Sequence, residues 1–235
     1  MIKAIVFDLD DTLYCQQAPF DEAIKILFPQ LLNENLDELF ILFRSLSEQL
    51  YEQTEKITEE TIRKMNHVRL SKSLKAKYDF QVTESMTENF EAEYERQLRQ
   101  IRLSLPLVCA LQELAKSYKL GIITNGYTQR QEVKLEALKI RKIIPEENIL
   151  ISEKFGVAKP DRRIFDQMAK RLACDSSELI YIGDNYRNDV LGAKEAGWKA
   201  WWLNHKQQLI PDEKISIADK ELISFIELER ELINL

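Results

Sequence analysis

The chain has 235 residues, 45% of them hydrophobic and 31% charged, with a formal net charge of -6. That is enough apolar material for a substantial core, in one large domain or two smaller ones, and it excludes a wholly disordered chain. The negative balance argues against a nucleic-acid polymer as partner and leaves room for a local pocket that takes a small anion.

In chain order, the first predicted element is a strand, IKAIVFD (2–8). It runs into Asp8, Asp10 and Asp11, three acids within four positions, whose like charges need a compensating partner. From Cys15 to about Leu103 no strand pattern occurs. Leu36, Leu39, Phe40, Phe43, Leu46 and Leu50 fall at helical spacing, as do Met86, Phe90, Tyr94 and Leu98. This predicts an all-helical insertion that would stand over the carboxyl end of the sheet. Apolar runs then alternate with helical patterns. A helix over Pro106–Tyr118 leads to strand LGIITNG (120–126), and a helix over Gln129–Leu138 to strand NILIS (148–152). A helix over Pro160–Leu172 follows, with Pro160 at its first position, then strands LIYIGD (179–184) and KAWWLN (199–204), and ERELINL reads as a closing amphipathic helix. Weak alternation within the strands predicts burial on both faces. The expected fold is therefore α/β, a Rossmann-like doubly wound parallel sheet in a core of residues 1–14 and 104–235, with a helical cap at 15–103.

Ligands of open α/β sheets sit outside the carboxyl ends of the strands, so the polar residues there belong together. Four clusters emerge: Asp8, Asp10 and Thr12; Thr124, Asn125 and Gly126; Lys159 before Pro160; and Gly183, Asp184, Asn185 and Asp189. Each alone has an ordinary reading as a turn former, a helix cap or a solvated charge. Jointly, acids from two strand ends can share a divalent cation, while a hydroxyl and an ammonium opposite them hold an anion. A hard cation, Mg²⁺, compensates the crowded acids, with Asp8 and Asp184 as carboxylate ligands. Asp8 then stays ionised as a nucleophile, and Asp10 is left to carry a proton.

DLDDTL, ITNG, the Lys159–Pro160 pair and GDNYRND resemble the four ordered motifs of the haloacid dehalogenase superfamily, in particular its phosphatases with a helical cap inserted after the first motif. The stretches NGYTQRQEVKLEALKI and ISEKFGVAKPDRRIF, and the late WLN at Trp202 to Asn204, are similar to the pyrimidine 5'-nucleotidase branch, with a relative in the N-acylneuraminate-9-phosphate phosphatases. The resemblance implies that Asp8 attacks phosphorus to form an aspartyl phosphate, while Asp10 protonates the leaving oxygen and later deprotonates water. It implies that the Asp10 carbonyl joins Asp8 and Asp184 around Mg²⁺. Thr124 and the Asn125 amide would bind phosphoryl oxygens, Lys159 would neutralise them, and Asp189 would support the metal. A helix starting at Pro160 would add a positive dipole end. Asp11, often glycine in this family, is expected to be a turn acid.

The expected protein is a cytoplasmic enzyme that acts on a small phosphate ester, favouring nucleoside 5'-monophosphates, as a monomer or homodimer and without a membrane. Sugar or acylneuraminate phosphates are the alternative substrates. A phosphonate hydrolase or sugar-phosphate mutase would differ in the cap, where Lys56, Lys64 and Lys72 are candidates. A carbon–halogen hydrolase needs neither Asp10 nor Asp184, and a phosphoacceptor receiver module lacks both the helical insertion and an acid placed like Asp10. Cys15, Cys109 and Cys174 are odd in number and lack metal-ligand spacing, as a reducing compartment would have it. The N-terminal apolar stretch is too short for a signal segment, and no later run reaches membrane-spanning length. His67 and His205 stand alone and read as structural. The adjacent Trp201 and Trp202 should face opposite sides of a strand. Phe20, Phe43, Tyr51 and Tyr94 are aromatic candidates for substrate contact, although their spacing favours burial in the bundle.

Overall fold

A computed structural model describes residues 1–32, 34–54, 57–210 and 216–235; Lys56 lies outside the described residues. The chain divides into two compact units, Met1–Cys15 with Ile101–Leu235, and Gln16–Gln100. Among the described residues no helix is long and apolar enough to cross a membrane.

Strand β1 (Ala4–Phe7) opens the first unit. The second unit holds helices α1 (Gln17–Leu27), α2 (Asp37–Gln53), α3 (Glu59–Tyr78) and α4 (Glu84–Leu98). Thr58 and Thr83 cap α3 and α4, accepting from the Thr61 and Met86 amides. Phe20 is the hub of the bundle core. Its ring centroid lies 5.3 Å from Phe40, 4.8 Å from Phe43, 5.8 Å from Phe90 and 6.2 Å from Tyr94. Phe20, Phe43 and Tyr94 are thus core residues and Tyr51 is half-buried, while Lys64 pairs with Glu60 on the surface and Lys72 is exposed. His67 Nδ1 lies 2.9 Å from Thr87 Oγ1, a contact between α3 and α4. Helix α3 escaped the apolar-spacing pattern because its buried positions, Met65, Leu70, Ser73 and Leu74, form a thin stripe on a polar helix.

The first unit resumes with α5 (Leu105–Leu114), β2 (Lys119–Thr124), α6 (Thr128–Ala137), β3 (Ile149–Ile151), α7 (Ser152–Phe155) and α8 (Arg162–Leu172). Then come β4 (Leu179–Gly183), a wide helical turn at Tyr186–Leu191, α9 (Gly192–Glu195), β5 (Lys199–Leu203), β6 (Lys220–Leu222) and α10 (Phe225–Ile233). All six strands are parallel, in the order β3-β2-β1-β4-β5-β6, the doubly wound arrangement. Alternate strand residues feed two apolar layers. Ile5, Phe7, Ile122, Ile182 and Trp201 pack on one face, and Val6, Ile123, Tyr181 and Trp202 on the other, so the adjacent tryptophans do point apart.

One element was missed and one begins later than expected. The short edge strand β6, Lys-Glu-Leu, went unpredicted because two of its three residues are charged. Helix α8 begins at Arg162, two residues beyond Pro160, because Asp161 is its N-cap, the Asp161 carboxylate accepting from the Arg163 amide. The Lys159–Pro160 bond is cis.

Truncating the bundle hub should be costly. Phe20→Ala is expected to destabilise the helical unit by about 3–5 kcal/mol, through lost burial and the cavity left behind. Amide exchange within residues 16–100 should quicken accordingly. A loss below about 1 kcal/mol would contradict the assignment of Phe20 as the core of this unit.

Candidate active site

In this sheet order β1 lies between β2 and β4, so the residues that follow these three strands are neighbours. The Asp8 amide donates to the Ile182 carbonyl at 2.8 Å, which extends the β1–β4 ladder by one residue and fixes where the Asp8 side chain departs. Lys159 supplies the opposing charge. Its Nζ donates to Asp8 Oδ1 at 2.6 Å, Asp189 Oδ1 at 2.7 Å and the Tyr181 hydroxyl at 2.8 Å, so all three ammonium protons have acceptors. Tyr181, from the middle of β4, in turn donates to the Ile123 carbonyl at 2.8 Å.

The backbone at Lys159 is held just as firmly. Asn125 Nδ2 donates to the Lys159 carbonyl and the Lys159 amide donates to Asn125 Oδ1, both at 2.9 Å. The side chain of Asn125 therefore positions the lysine, which leaves its amide as the group available for an anion. Asp189 Oδ2 accepts from the Asn185 amide at 2.9 Å. Gly183 makes that approach possible, since a Cβ there would lie 2.3 Å from Asp189 Oδ2. The Asp184 carbonyl accepts from Trp202 Nε1 at 2.8 Å.

Carboxylate oxygens of Asp8, Asp184 and Asp189 lie within 4.8 Å of one another. Burial pushes the Asp8 carboxyl up to about 7 against the pull of Lys159, with Asp189 and Asp10 adding to the rise. Asp184 is raised well above the ordinary carboxylate range by burial and by repulsion from Asp11, Asp189 and Asp8. Burial alone would lower Lys159, but Asp189 and Asp8 outweigh it and hold the ammonium above the ordinary lysine range. Three crowded carboxylates offer an all-oxygen set of the kind that fits a hard divalent cation. Thr12 Oγ1 is buried with no hydrogen-bond partner among the described residues.

Asp10 sits apart from that trio. Lys134 Nζ donates to its two carboxylate oxygens at 2.8 and 2.7 Å, Gln131 Nε2 donates to Oδ2 at 3.2 Å, and the Tyr14 hydroxyl donates to Oδ1. Thr124, at the end of β2, is fully buried, and its hydroxyl accepts from Gln131. Asp11 lies at φ 57°, the left-handed region that favours glycine, and pairs with Lys206; His205 Nε2 lies 4.0 Å from its carboxylate. Asp11 is a turn acid held by its own ion pair. At the start of α8 the Asp161 carboxylate accepts from the Arg163 amide and pairs with the Arg163 guanidinium at 2.7 Å.

Tyr14, Gln131, Lys134 and Tyr181 were not singled out from the sequence. Gln131 and Lys134 lie on α6 right after TNG, and the structure buries both. A lysine is almost never fully buried without a partner.

The family model for haloacid dehalogenase-like hydrolases matches residues 2–197. The glyceraldehyde 3-phosphate phosphatase of Methanopyrus kandleri is 30% identical over 202 residues, 84% of this chain and 82% of the relative. The pyrimidine 5'-nucleotidase YjjG of Escherichia coli is 38% identical over 104 residues, 43% of this chain and 45% of the relative. Among solved structures, the HAD-hydrolase YfnB of Bacillus subtilis, bound to magnesium, is similar with a TM-score of 0.73 at 22% identity, covering 100% of this chain and 99% of that one. The L-2-haloacid dehalogenase RSc1362 has a TM-score of 0.77 at 15% identity, covering 100% of this chain and 99% of that one. With the motif residues gathered at the ends of β1, β2 and β4, the chain belongs to the haloacid dehalogenase-like hydrolases.

Proposed function

We propose that this hydrolase is a Mg²⁺-dependent phosphomonoesterase that works through an aspartyl phosphate on Asp8. The observation that carries the reading is the cluster of Asp8, Asp184 and Asp189, two of which, Asp8 and Asp189, share the ammonium of Lys159. Bound at these acids, with the Asp10 carbonyl as a further ligand, Mg²⁺ would supply charge neutralisation for Asp8 and for the phosphoryl group. Asp8, relieved of repulsion, attacks phosphorus while the bond from phosphorus to the leaving oxygen breaks. Asp10 gives that oxygen its proton. A water then attacks the phosphoryl group, its proton passes to Asp10, and the bond from phosphorus to Asp8 breaks to release inorganic phosphate.

Lys134 Nζ holds both oxygens of the Asp10 carboxylate, the group that would act first as acid and then as base. Thr124, the Asn125 amide and Lys159 bind the phosphoryl oxygens. The Thr124 hydroxyl accepts from Gln131, so its own proton remains to be donated. Asp10 and Asp184 together favour phosphate-ester chemistry over carbon–halogen hydrolysis, for which neither is needed.

For substrate, we favour nucleoside 5'-monophosphates, on the similarity to the E. coli pyrimidine 5'-nucleotidase. A second reading, a small sugar phosphate such as a triose phosphate, is favoured by the similarity to the glyceraldehyde 3-phosphate phosphatase over 84% of the chain. Phe20, Phe43 and Tyr94 do not bear on the choice, because the bundle core buries them.

Chelation should abolish phosphate release and Mg²⁺ should restore it. Asp184→Asn should raise the Mg²⁺ concentration needed for half-maximal rate by about tenfold or more, since a charged ligand is lost. Full turnover in excess chelator, with metal content measured as negligible, would refute the metal requirement.

Asp10→Asn should separate the half-reactions. With p-nitrophenyl phosphate, whose leaving group needs little protonation, a phosphoenzyme should build up and be visible as an added phosphoryl mass on the intact chain. Turnover at the wild-type rate would remove Asp10 from the mechanism.

In a matched panel scored by kcat/KM, pyrimidine nucleoside 5'-monophosphates should outrank glyceraldehyde 3-phosphate, hexose phosphates and acylneuraminate 9-phosphate. A sugar phosphate at the head of the ranking would overturn the nucleotidase assignment and leave the phosphatase assignment intact.

A further inference from the structure

Helix α6 carries two polar side chains with almost no exposure, Gln131 at 1% and Lys134 at 4%. Their i, i+3 spacing puts them on one face of the helix. Every polar atom of the Gln131 side chain is engaged. Nε2 donates to Thr124 Oγ1 and to Asp10 Oδ2, while Oε1 accepts from Lys134 Nζ at 2.6 Å. Lys134 closes the loop by donating to both oxygens of Asp10. This pattern fixes the amide in one orientation, because a flip would turn its oxygen toward the Asp10 carboxylate and leave the Lys134 ammonium facing an NH₂ group.

Gly126 lets the amide come this close. It has φ +145°, and a Cβ built on it would lie 3.2 Å from Gln131 Cδ and 3.3 Å from Oε1. The turn after β2 and the first turns of α6 are thus shaped around one side chain that touches residues from two strand ends.

We propose that Gln131 and Lys134 are positioning residues that hold the Asp10 carboxylate, the group donating the leaving-group proton, in register for that transfer. The inference rests on the phosphomonoesterase reading and deepens it. Proton transfer tolerates little displacement: an error of about 1 Å can cost about 100-fold in rate, and a positioned acid contributes about 10²- to 10⁴-fold. A buried ion pair with no such role would instead act on stability alone.

The test compares two probes, benzyl phosphate, whose alkoxide leaving group needs a proton, and p-nitrophenyl phosphate, whose phenolate does not. In Lys134→Met and Gln131→Met, kcat/KM for benzyl phosphate should fall about 30- to 100-fold and that for p-nitrophenyl phosphate less than about threefold. Lys134→Arg should restore much of the loss. Equal losses on both probes, or no loss on either, would overturn the proposal. Should Lys134→Met fail to fold, the cycle built on Asp10→Asn decides. Adding Gln131→Met to Asp10→Asn should leave the p-nitrophenyl phosphate phosphorylation rate and the benzyl phosphate rate unchanged, because Gln131 acts through Asp10; independent, multiplying effects would refute this. A wild-type protein that hydrolyses neither probe would instead remove the phosphomonoesterase reading, and the positioning role with it.

Discussion

The structure around the candidate site depends on one buried ammonium and the three acceptors that share it. Lys159 reaches Asp8 from the end of β1, Asp189 from the turn after β4, and the Tyr181 hydroxyl from within β4. Burying a lysine is unfavourable unless it is paired and fully hydrogen-bonded. Here it is both, and the neighbouring carboxylates raise its proton affinity despite the burial. Burial, and then repulsion among the acids, displaces both Asp8 and Asp184 upward. A divalent cation bound at these carboxylates would offset both costs.

The sheet delivers these groups through its strand order. With β1 flanked by β2 and β4, the residues that follow three consecutive strands in space come from three distant stretches of sequence. Small local devices then set the register. The reciprocal amide bonds between Asn125 and Lys159 pin the loop that carries the lysine. Gly183 admits Asp189 at a distance that any side chain would block, and Gly126, at φ +145°, leaves close room for Gln131. Trp202 ties the Asp184 carbonyl to β5. The outer strands thereby restrain the site without contributing a reacting group.

Much of this was legible because charged residues that end buried apolar strands are conspicuous. Asp8 and Asp184 each stand at such a break, Lys159 was marked by the proline that follows it, and their order along the chain implied a common edge. Asn125 was legible as a site residue, yet its side chain proves to brace Lys159 rather than to face a ligand. Gln131 and Lys134 were obscure for a different reason: a polar residue on a helix reads as part of the solvated face, and only the three-dimensional structure turns that face inward. The start of α8 was misplaced because proline at a first helical turn and proline just before an N-cap look alike in sequence; Asp161 was the better boundary signal. Strand β6 was hidden because an edge strand with charged residues lacks the apolar signature of the others.

The central claim is that Asp8 is the atom donor to phosphorus, held ready by Lys159 and the neighbouring acids. Beryllofluoride mimics a phosphoryl group on a carboxylate and bypasses both the leaving group and the choice of substrate. In the presence of Mg²⁺ and beryllofluoride, fluorine NMR of the wild-type protein should show a bound species at one equivalent per chain, and Asp8→Asn should show none. A bound species that persists unchanged in Asp8→Asn, or its absence from the folded wild-type protein, would contradict the account.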